Sequence, residues 1–515
     1  MAKRKKAKIF ISVFFISLVA VSAYFGYNYI QNKFLFYSEK IESPTFYDDG
    51  NVRNWQDHVD NNKILSSNGY QALNSVGDQN ILVVPVSFQD EKYSIFSNVP
   101  TMRNKDFKET LNEAFFGEGN SIVGWESVKS FYEKSSYSKL TLNGEVTNVV
   151  NIDRPLSYYS NLLKSATESK NNSISLSSIS NDLTITIIED VLNNNPNINF
   201  EKYDQNKDGY FDAIWFIYNS MYDNESQLAW AFTTANGRSQ ENLKYKVGTF
   251  SWGSYFFMTE GNYQSLLTGF LPDAHTYIHE TGHILGLEDY YSYANSKENP
   301  EYPVGGLDMM DYNIGDHMAF SKYLLNWTSP KEIIGEGEIK IKPFYSSGEA
   351  YIIANNYNGT AFDEYLILEY YVPEGLNSKD SKSKYLGNNA RMFTDSGLRI
   401  YHVDARIGYF KGNTIQSSYV NNLVYYIEKG ASVAIVNNNT STRSLIDKNN
   451  RLVELVSANN CGDLEYISKP VADNSDLFTK GKNLNKYFFN DGSSIPYTIS
   501  IEDVSSEEIT IKIQK

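Results

Sequence analysis

Two imidazoles and a carboxylate stand close together in the stretch His279-Glu280-Thr281-Gly282-His283. On a helix, residues four positions apart project from the same face, so His279 and His283 can bind one zinc ion. Glu280 lies beside them and can take a proton from a water molecule that zinc activates to attack a carbonyl group. The segment therefore predicts a zinc-dependent hydrolase with Glu280 as its general base.

The residues that follow predict the third ligand of the metal. Gly286 follows His283 by three positions, and Asp289 follows Gly286 by three more. Because glycine can adopt a left-handed conformation, it can end the helix and let the chain present Asp289 to the same ion. Three protein ligands leave the fourth position of zinc open for water, as catalytic sites require. We therefore expect Asp289 to be the third zinc ligand.

Other interpretations of these residues remain open. The two histidines can be a packed pair in the core, and Asp289 can merely cap its loop. The third ligand would then come from later in the chain, as His317, Asp308 or Asp311. A glutamate ligand would be Glu298 or Glu301, which stand in a segment rich in Asn and Pro rather than on a clear helix. We expect His275, one turn before His279, to pack against the site or to hydrogen-bond with its ligands.

Residues 279–289 resemble the zinc-binding segment of the metzincins, and within them that of the immune inhibitor A-type bacterial metallopeptidases. Metzincins also carry a methionine-containing turn below the zinc, and residues 305–312 (GGLDMMDY) resemble it, with Met310 as the methionine. The resemblance implies that Met310 forms a hydrophobic floor and that Tyr312 donates a hydrogen bond to the developing oxyanion. A purely structural role for Tyr312 remains open. Most metzincins use histidine as the third ligand, so Asp289 would be a variant.

Three further segments resemble the same family, namely residues 83–90 (VVPVSFQD), 315–322 (GDHMAFSK) and 397–404 (GLRIYHVD). The resemblance thus extends over roughly residues 79–510. The chain departs from the family pattern at two positions. Glu288 stands where many relatives have proline, and Ser138 stands where glycine is expected. Neither residue is a predicted ligand. The resemblance implies a metzincin-like catalytic domain with one zinc ion that hydrolyses peptide bonds.

A second group of oxygen ligands lies in residues 204–212 (DQNKDGYFD). Oxygen-bearing side chains occupy positions 1, 3, 5 and 9 of a calcium loop, as Asp204, Asn206, Asp208 and Asp212. Gly209 stands where the loop turns sharply, and the carbonyl of Tyr210 can ligate at position 7. Position 12 is Trp215 rather than glutamate, so the loop is not a full EF-hand. We expect a structural calcium site here. The resemblance to the immune inhibitor A-type family also favours calcium, because that family has a similar acidic segment. The alternative is a polar turn without an ion.

The N-terminal residues predict export. Five positive charges within the first eight residues precede an apolar run over residues 9–27, which is long enough to cross a bilayer. Residues 1–29 are therefore expected to be a signal peptide or an uncleaved membrane anchor, with the positive cluster in the cytoplasm. The rest of the chain would lie on the extracellular side, either secreted or tethered in a type II orientation, as a monomeric ectodomain.

The composition argues against a nucleic-acid-binding protein and against a chain held by internal disulfides. A net charge of −15 gives a surface that repels phosphate backbones, so nucleic acid is not an expected partner. Cys461 is the single cysteine, so the chain cannot form an internal disulfide. We expect this thiol to be structural.

The pattern of apolar residues predicts an α+β fold with several domains. The expected parts are a signal or anchor segment, a linker or pro-segment, a metzincin-like catalytic domain and an all-β, sandwich-like domain, over residues 1–29, 30–78, 79–330 and 331–515. Buried strands are expected over residues 80–88 and 211–218, and the zinc helix over about residues 273–285. Residues 249–257 are expected to form an edge strand along which an extended substrate binds.

We thus expect an exported zinc endopeptidase that acts on proteins. Glu280 would take a proton from the attacking water and later deliver it to the leaving amine. The main alternative is a non-catalytic surface adhesin or binding protein that keeps a metal-stabilised, metzincin-like fold. Glu280 argues against that alternative, because a pure scaffold has no need for this carboxylate.

Overall fold

The computed structural model describes residues 44–56, 61–62, 65, 71–89, 105–119, 124–169, 174–220, 228, 230–259, 272–293, 302–384, 391–411, 414–415, 432–440, 450–460, 471–485 and 487–515. The helices of this part are α1 (Phe107–Phe116), α2 (Val128–Ser135), α3 (Leu156–Ser169), α4 (Leu176–Asn194), α5 (His275–Ile284), α6 (Met309–Tyr312), α7 (Ala319–Leu324), α8 (Phe344–Ser347) and α9 (Ser378–Lys382).

The strands are β1 (Thr45–Asp49), β2 (Val52–Gln56), β3 (Gly77–Phe88), β4 (Leu140–Val146), β5 (Val150–Ile152), β6 (Tyr210–Phe211), β7 (Ile214–Tyr218), β8 (Phe232–Ala235), β9 (Lys246–Val247), β10 (Thr249–Ser254), β11 (Lys331–Ile333), β12 (Gly337–Ile341), β13 (Ala350–Ile353), β14 (Glu364–Tyr371), β15 (Gly397–Asp404), β16 (Ile407–Lys411), β17 (Thr414–Ile415), β18 (Ser432–Ile435), β19 (Val453–Leu455), β20 (Asn483–Leu484), β21 (Thr498–Val504) and β22 (Ile509–Gln514). Helices and strands occur together in both halves of the chain, so the predicted mixed α and β content is confirmed.

The chain forms two compact units, of which the first contains Gly69–Lys134 and Ser138–Gly286. Its main sheet has the order β4-β3-β7-β10-β8, and β5 also pairs with β3. The pairs are parallel except for β8, which runs antiparallel to β10. Strand β3 is buried from Ile81 to Phe88, as expected for an interior parallel strand that is covered on both faces.

The two faces of this sheet carry different helices. On one face, Phe216 of β7 and Trp252 of β10 belong to a hydrophobic cluster with Leu163 of α3 and Ile187 of α4. The neighbouring residue Trp215 points to the other face, because successive side chains of a strand alternate. Its indole nitrogen donates a hydrogen bond of 3.2 Å to Thr281 of α5. The predicted zinc helix therefore lies on the face opposite to α3 and α4.

The prediction of an edge strand over residues 249–257 is wrong. Strand β10 ends at Ser254, and a 3-10 helix follows over Tyr255–Thr259. Strand β10 pairs with β7 on one side and with β8 on the other. The outer strand at this side of the sheet, within the described residues, is β8, a four-residue strand that the sequence pattern did not reveal. The predicted strand over 211–218 is broken as well, because β6 and β7 are separated by two residues.

The second unit contains Leu35–Asn68, Ser135–Tyr137 and Leu287–Lys515. It holds a seven-stranded sheet with the order β1-β2-β11-β13-β14-β15-β19 and a four-stranded sheet with the order β12-β22-β21-β20. One hydrophobic cluster contains Leu366 and Leu368 of the first sheet and Ile511 and Ile513 of the second. The hairpin β1–β2 joins the larger sheet by pairing with β11, so the polar N-terminal segment contributes two strands.

Several predictions concern residues outside the described part of the chain. They are the signal or anchor segment, much of the predicted linker, the alternative ligands Glu298 and Glu301, and Cys461. Where the structure does describe helices, none is both long and apolar enough to cross a bilayer.

Candidate active site

Helix α5 is attached to its unit at several points. At its start, Asp273 accepts a hydrogen bond of 3.0 Å from the backbone nitrogen of His275. In the middle, the hydroxyl of Tyr132 donates to the carbonyl of Ile278 at 2.7 Å. Thr281 donates to the carbonyl of Tyr277 at 2.7 Å and accepts from Trp215. These contacts fix the rotation of the helix, so they also fix the direction of its histidines.

The helix ends as the sequence predicts. Gly286 has a φ of 101°, a conformation that glycine adopts readily and other residues rarely do. Carbonyls of the last turn are bound by an earlier loop, since Ala72 and Leu73 donate to the carbonyl of Ile284 at 3.0 and 3.2 Å. Gln71 donates to the carbonyl of Leu285 at 3.1 Å. Residues 71–73 therefore hold the end of α5, and the conformation of Gly286 sets the direction in which the chain leaves it.

Ligand atoms of His279, His283 and Asp289 all lie within 4.8 Å of one another. They form the one group of three or more His, Cys, Asp or Glu side chains suited to a metal within the described residues. The two imidazole rings are 4.9 Å apart and nearly perpendicular. Tetrahedral zinc would separate such atoms by roughly 3.4 Å, and two imidazoles with a carboxylate are ligands that zinc prefers. The donor set therefore fits zinc.

Asp289 has a hydrogen-bond donor of its own. The hydroxyl of Tyr293 donates to Oδ2 of Asp289 at 2.5 Å. Desolvation of this hydroxyl, followed by the negative charge of Asp289, raises the pKa of Tyr293 well above its usual value. The phenol therefore stays protonated and orients the carboxylate. No local motif distinguishes Tyr293 among the 40 tyrosines of the chain.

The alternative third ligands make structural contacts. Asp308 caps α6, since its two carboxylate oxygens accept from the backbone nitrogens of Met310 and Met318 at 2.7 Å each. Asp311 accepts from the backbone nitrogen of Gly306 at 2.6 Å, and burial raises its pKa well above the usual value. His317 is fully buried, with Nδ1 3.7 Å from Asp308. None of the three belongs to the group formed by the two histidines and Asp289.

The predicted methionine turn forms helix α6, which ends at Asn313 in a left-handed conformation. Met310 is buried, and its carbonyl accepts from the backbone nitrogen of Tyr290 at 2.9 Å. Tyr312 is half-buried, and its ring centroid lies 4.5 Å from that of Tyr302. The roles of Met310 as a floor and of Tyr312 at the oxyanion remain predictions.

Glu280 contacts two hydroxyl residues that no sequence motif indicates. The hydroxyl of Thr233, on β8, lies 2.8 Å from Oε2 of Glu280 and 3.0 Å from its backbone carbonyl. Ser251, on β10, lies 2.7 Å from the Thr233 hydroxyl. Thr233 precedes Glu280 by 47 residues, so no local motif connects them.

His275 packs against the helix start. Its ring stacks on Trp125 at 4.2 Å between centroids and with 15° between the planes. Its Nδ1 lies 2.8 Å from Asp273, and the side chain is fully buried. This agrees with the packing role that the sequence suggested.

The predicted calcium loop is folded around Asp204. Its carboxylate accepts from the backbone nitrogens of Asp208 and Gly209 at 3.0 Å each. The backbone nitrogens of Tyr210 and Gln205 donate to Asp208 and Asp212 at 2.8 and 2.7 Å, while Asn206 also accepts from Asp208 at 2.9 Å. The side-chain oxygens thus accept hydrogen bonds from the backbone nitrogens of their own loop. This arrangement equally fits the alternative of a polar turn. Calcium remains a prediction.

A buried ion pair in the second unit holds the segment that includes α6 and the first residue of α7. Arg399 of β15 pairs with Glu369 of β14, and both side chains are almost completely buried. Glu369 accepts from the backbone nitrogen of Ala319 at 2.7 Å, while Arg399 donates to the carbonyl of Leu307 at 3.5 Å. The pair thus fixes both ends of the stretch between these residues, and that stretch contains Met310.

A second buried charge in this unit is His402, which lies between Glu364 and Glu454 at 3.0 and 3.4 Å. Burial alone would lower the pKa of His402, but the hydrogen bonds to the two glutamates outweigh burial and raise it to about 9. The imidazole is therefore positively charged at neutral pH.

Two histidines one helical turn apart and a nearby aspartate form the donor set of a metal-dependent hydrolase, and an adjacent glutamate can serve as its base. Residues 67–214, less than half of the chain, match the model of the family described as immune inhibitor A peptidase M6, catalytic domain. The match confirms the resemblance to immune inhibitor A-like metallopeptidases, and this family indicates a metallopeptidase that acts on protein substrates. The matched segment ends before α5, so it is independent of the metal-binding motif. No curated protein matches the chain.

Proposed function

We propose that the protein is a zinc endopeptidase that hydrolyses peptide bonds with Glu280 as general base. The observation that carries the proposal is the group of His279, His283 and Asp289 around one point, with Glu280 on the same helix. The family match to residues 67–214 supports a metallopeptidase independently, because it does not include these residues.

The roles of the chain's own residues follow from their chemistry. His279, His283 and Asp289 would hold the ion. Zinc, when bound, supplies a Lewis acid that polarises the scissile carbonyl and lowers the pKa of water. Glu280 accepts the proton of the attacking water and delivers it to the leaving amine, as a carboxylate within hydrogen-bond reach can. Tyr312 would donate a hydrogen bond to the oxyanion, and Met310 would form the apolar floor.

We propose that the substrate binds in extended form along β8, in place of the strand expected from the sequence. Strand β8 is the outer strand at its side of the sheet in the described part of the chain. It also carries Thr233, which contacts Glu280. A peptide paired with β8 would therefore pass beside the general base, with backbone hydrogen bonds holding it.

The remaining features complete the proposal. We propose an exported protein, secreted or tethered by residues 1–29, with a linker or pro-segment over 30–78. A metzincin-like domain over 79–330 and a β-sandwich-like domain over 331–515 would follow. The common hydrophobic cluster of the seven- and four-stranded sheets supports the sandwich. A structural calcium ion at Asp204–Asp212 would stabilise the fold.

Cleavage of casein or gelatin by the zinc-loaded protein and its Glu280→Ala variant tests the proposal. We expect the wild type to cleave both proteins and the variant to lose activity while it keeps bound zinc. Equal activity in both, or none in either with zinc bound, would overturn the proposal. The second of these results would favour a non-catalytic adhesin instead.

A further inference from the structure

A row of three side chains crosses the sheet beneath helix α5. Trp215 of β7, Ser251 of β10 and Thr233 of β8 are direct neighbours across the paired strands. All three contact α5, Trp215 through Thr281 and the two hydroxyl residues through Glu280. The row therefore fixes the helix over the sheet at the position of the general base.

We propose that Thr233, supported by Ser251, is a positioning residue that holds the Glu280 carboxylate for proton transfer. The role rests on the proposed function of Glu280. The Thr233 hydroxyl reaches both the carboxylate oxygen Oε2 and the backbone carbonyl of Glu280, at 2.8 and 3.0 Å. A group that binds both ends of one residue restricts the rotation of its side chain.

The direction of the hydrogen bonds follows from the atoms involved. An ionised carboxylate and a backbone carbonyl can only accept, so the proton of Thr233 points towards Glu280. A hydroxyl has one proton but two lone pairs, so Thr233 still can accept from Ser251 at 2.7 Å. Ser251 therefore donates to Thr233, and Thr233 shares its single proton between Oε2 and the backbone carbonyl of Glu280.

The two hydroxyl residues differ in how firmly they are held. Ser251 is fully buried on a strand that is paired on both sides. Thr233 is half-buried on the outer strand β8. The interior residue thus provides a rigid support for the outer one, which makes direct contact with the general base.

Such support matters because proton transfer depends on geometry. A general base must lie within hydrogen-bond reach of the proton it takes, and small displacements of reacting groups reduce rates steeply. A glutamate has three rotatable side-chain bonds, so an unsupported carboxylate would spend only part of its time in the productive position. The Thr233 hydroxyl reduces that freedom without being consumed in the reaction.

The test compares Thr233→Val with Thr233→Ser in the full-length zinc-loaded protein, with labelled casein as substrate. Valine has nearly the same shape and favours strands but lacks the hydroxyl, whereas serine retains it. We expect kcat of the valine variant to fall about tenfold or more, while KM and zinc affinity stay within about threefold. The serine variant should retain most of kcat, and Ser251→Ala should have an intermediate value. Thr141→Val, on β4 at the opposite side of the sheet, is the matched control.

A structural measurement supplies a readout that does not depend on activity. Crystals of the metal-free wild type and serine variant should show Glu280 in one side-chain conformation. In the valine variant, the carboxylate should rotate away from β8. An unchanged carboxylate together with unchanged kcat would overturn the positioning role, as would a serine variant as impaired as the valine variant.

The same experiment separates this inference from the proposed function. If the wild type and Glu280→Gln cleave casein equally, the proposed function fails and the role of Thr233 fails with it. If the wild type cleaves, Glu280→Gln does not, and Thr233→Val matches the wild type, only the positioning role fails. A loss of zinc affinity equal to the loss of kcat would also contradict the role, because it would assign Thr233 to metal binding or folding.

Discussion

Tyr293 is expected to strengthen metal binding through Asp289, although it is not itself a ligand. Its hydroxyl donates to Oδ2 of Asp289 at 2.5 Å, a separation typical of a hydrogen bond to a charged oxygen. Such bonds contribute about 1.5–3 kcal/mol, and partners of metal ligands typically change metal affinity by about 10–100-fold. The Tyr293→Phe substitution removes the donor and keeps the ring. We therefore expect the zinc dissociation constant to rise by roughly 10–100-fold.

The assay is competition for zinc between the purified protein and a chromogenic chelator. Tyr291→Phe is the control, because it removes the same phenol oxygen two residues earlier and leaves the contact between the two rings, 5.5 Å apart, in place. A Tyr293→Phe dissociation constant within about twofold of the wild type would refute the proposed link to the third ligand. Equal weakening in both variants would refute it as well, since the effect would then not depend on the bond to Asp289.

Three further predictions concern stability. Arg399→Met leaves the buried carboxylate of Glu369 without the arginine that pairs with it. The free energy of unfolding, measured in urea, should therefore fall by about 3–5 kcal/mol. An unchanged value would contradict the role of the pair. His402 has its pKa raised to about 9 from 6.5, so its contribution of about 3 kcal/mol should be present below about pH 6.5 and lost as pH rises through 9. The advantage of the wild type over His402→Gln in urea should therefore shrink between about pH 6 and pH 9.5, and a constant difference would refute the charged state. Calcium should raise the melting temperature of the wild type but not of Asp204→Ala. An equal rise in both proteins, or no rise in either, would contradict calcium binding in this loop and favour a polar turn.

The zinc helix could be predicted from the sequence because its signals are local. The spacing of the two histidines and the position of Gly286 depend on a few neighbouring residues. The structure has a helix over His275–Ile284 and a positive φ at Gly286, as expected. The buried strand expected over residues 80–88 lies within β3, Gly77–Phe88, because its continuous apolar run is also a local signal.

The order of the strands could not be predicted in the same way. Residues 249–257 are rich in aromatic residues and have a strong strand pattern, whereas β8 is a four-residue segment with two threonines. Which strand lies outermost is decided by pairing between distant segments, not by local propensity. The hairpin β1–β2 was missed for a related reason. All five residues of β1 are exposed, so no buried face marked it in the sequence.

The residues that support the site could not be predicted from sequence patterns either. Thr233 reaches Glu280 across 47 positions, and only the antiparallel pairing of β8 with β10 brings it there. Tyr293 lies close to Asp289 in the chain, but nothing in its immediate sequence distinguishes it from its neighbours. Both residues act on groups that the motif did identify, so the motif indicated the chemistry and the fold supplied the positions.

The central claim is that His279, His283 and Asp289 bind a catalytic zinc ion. A crystal structure of the zinc-loaded protein, with anomalous diffraction measured at the zinc edge, tests it most directly. We predict one strong peak at helix α5, with two imidazole nitrogens and one oxygen of Asp289 at about 2.0–2.2 Å from the ion. A peak bound instead by Asp308, Asp311 or His317, or no peak at α5, would contradict the claim.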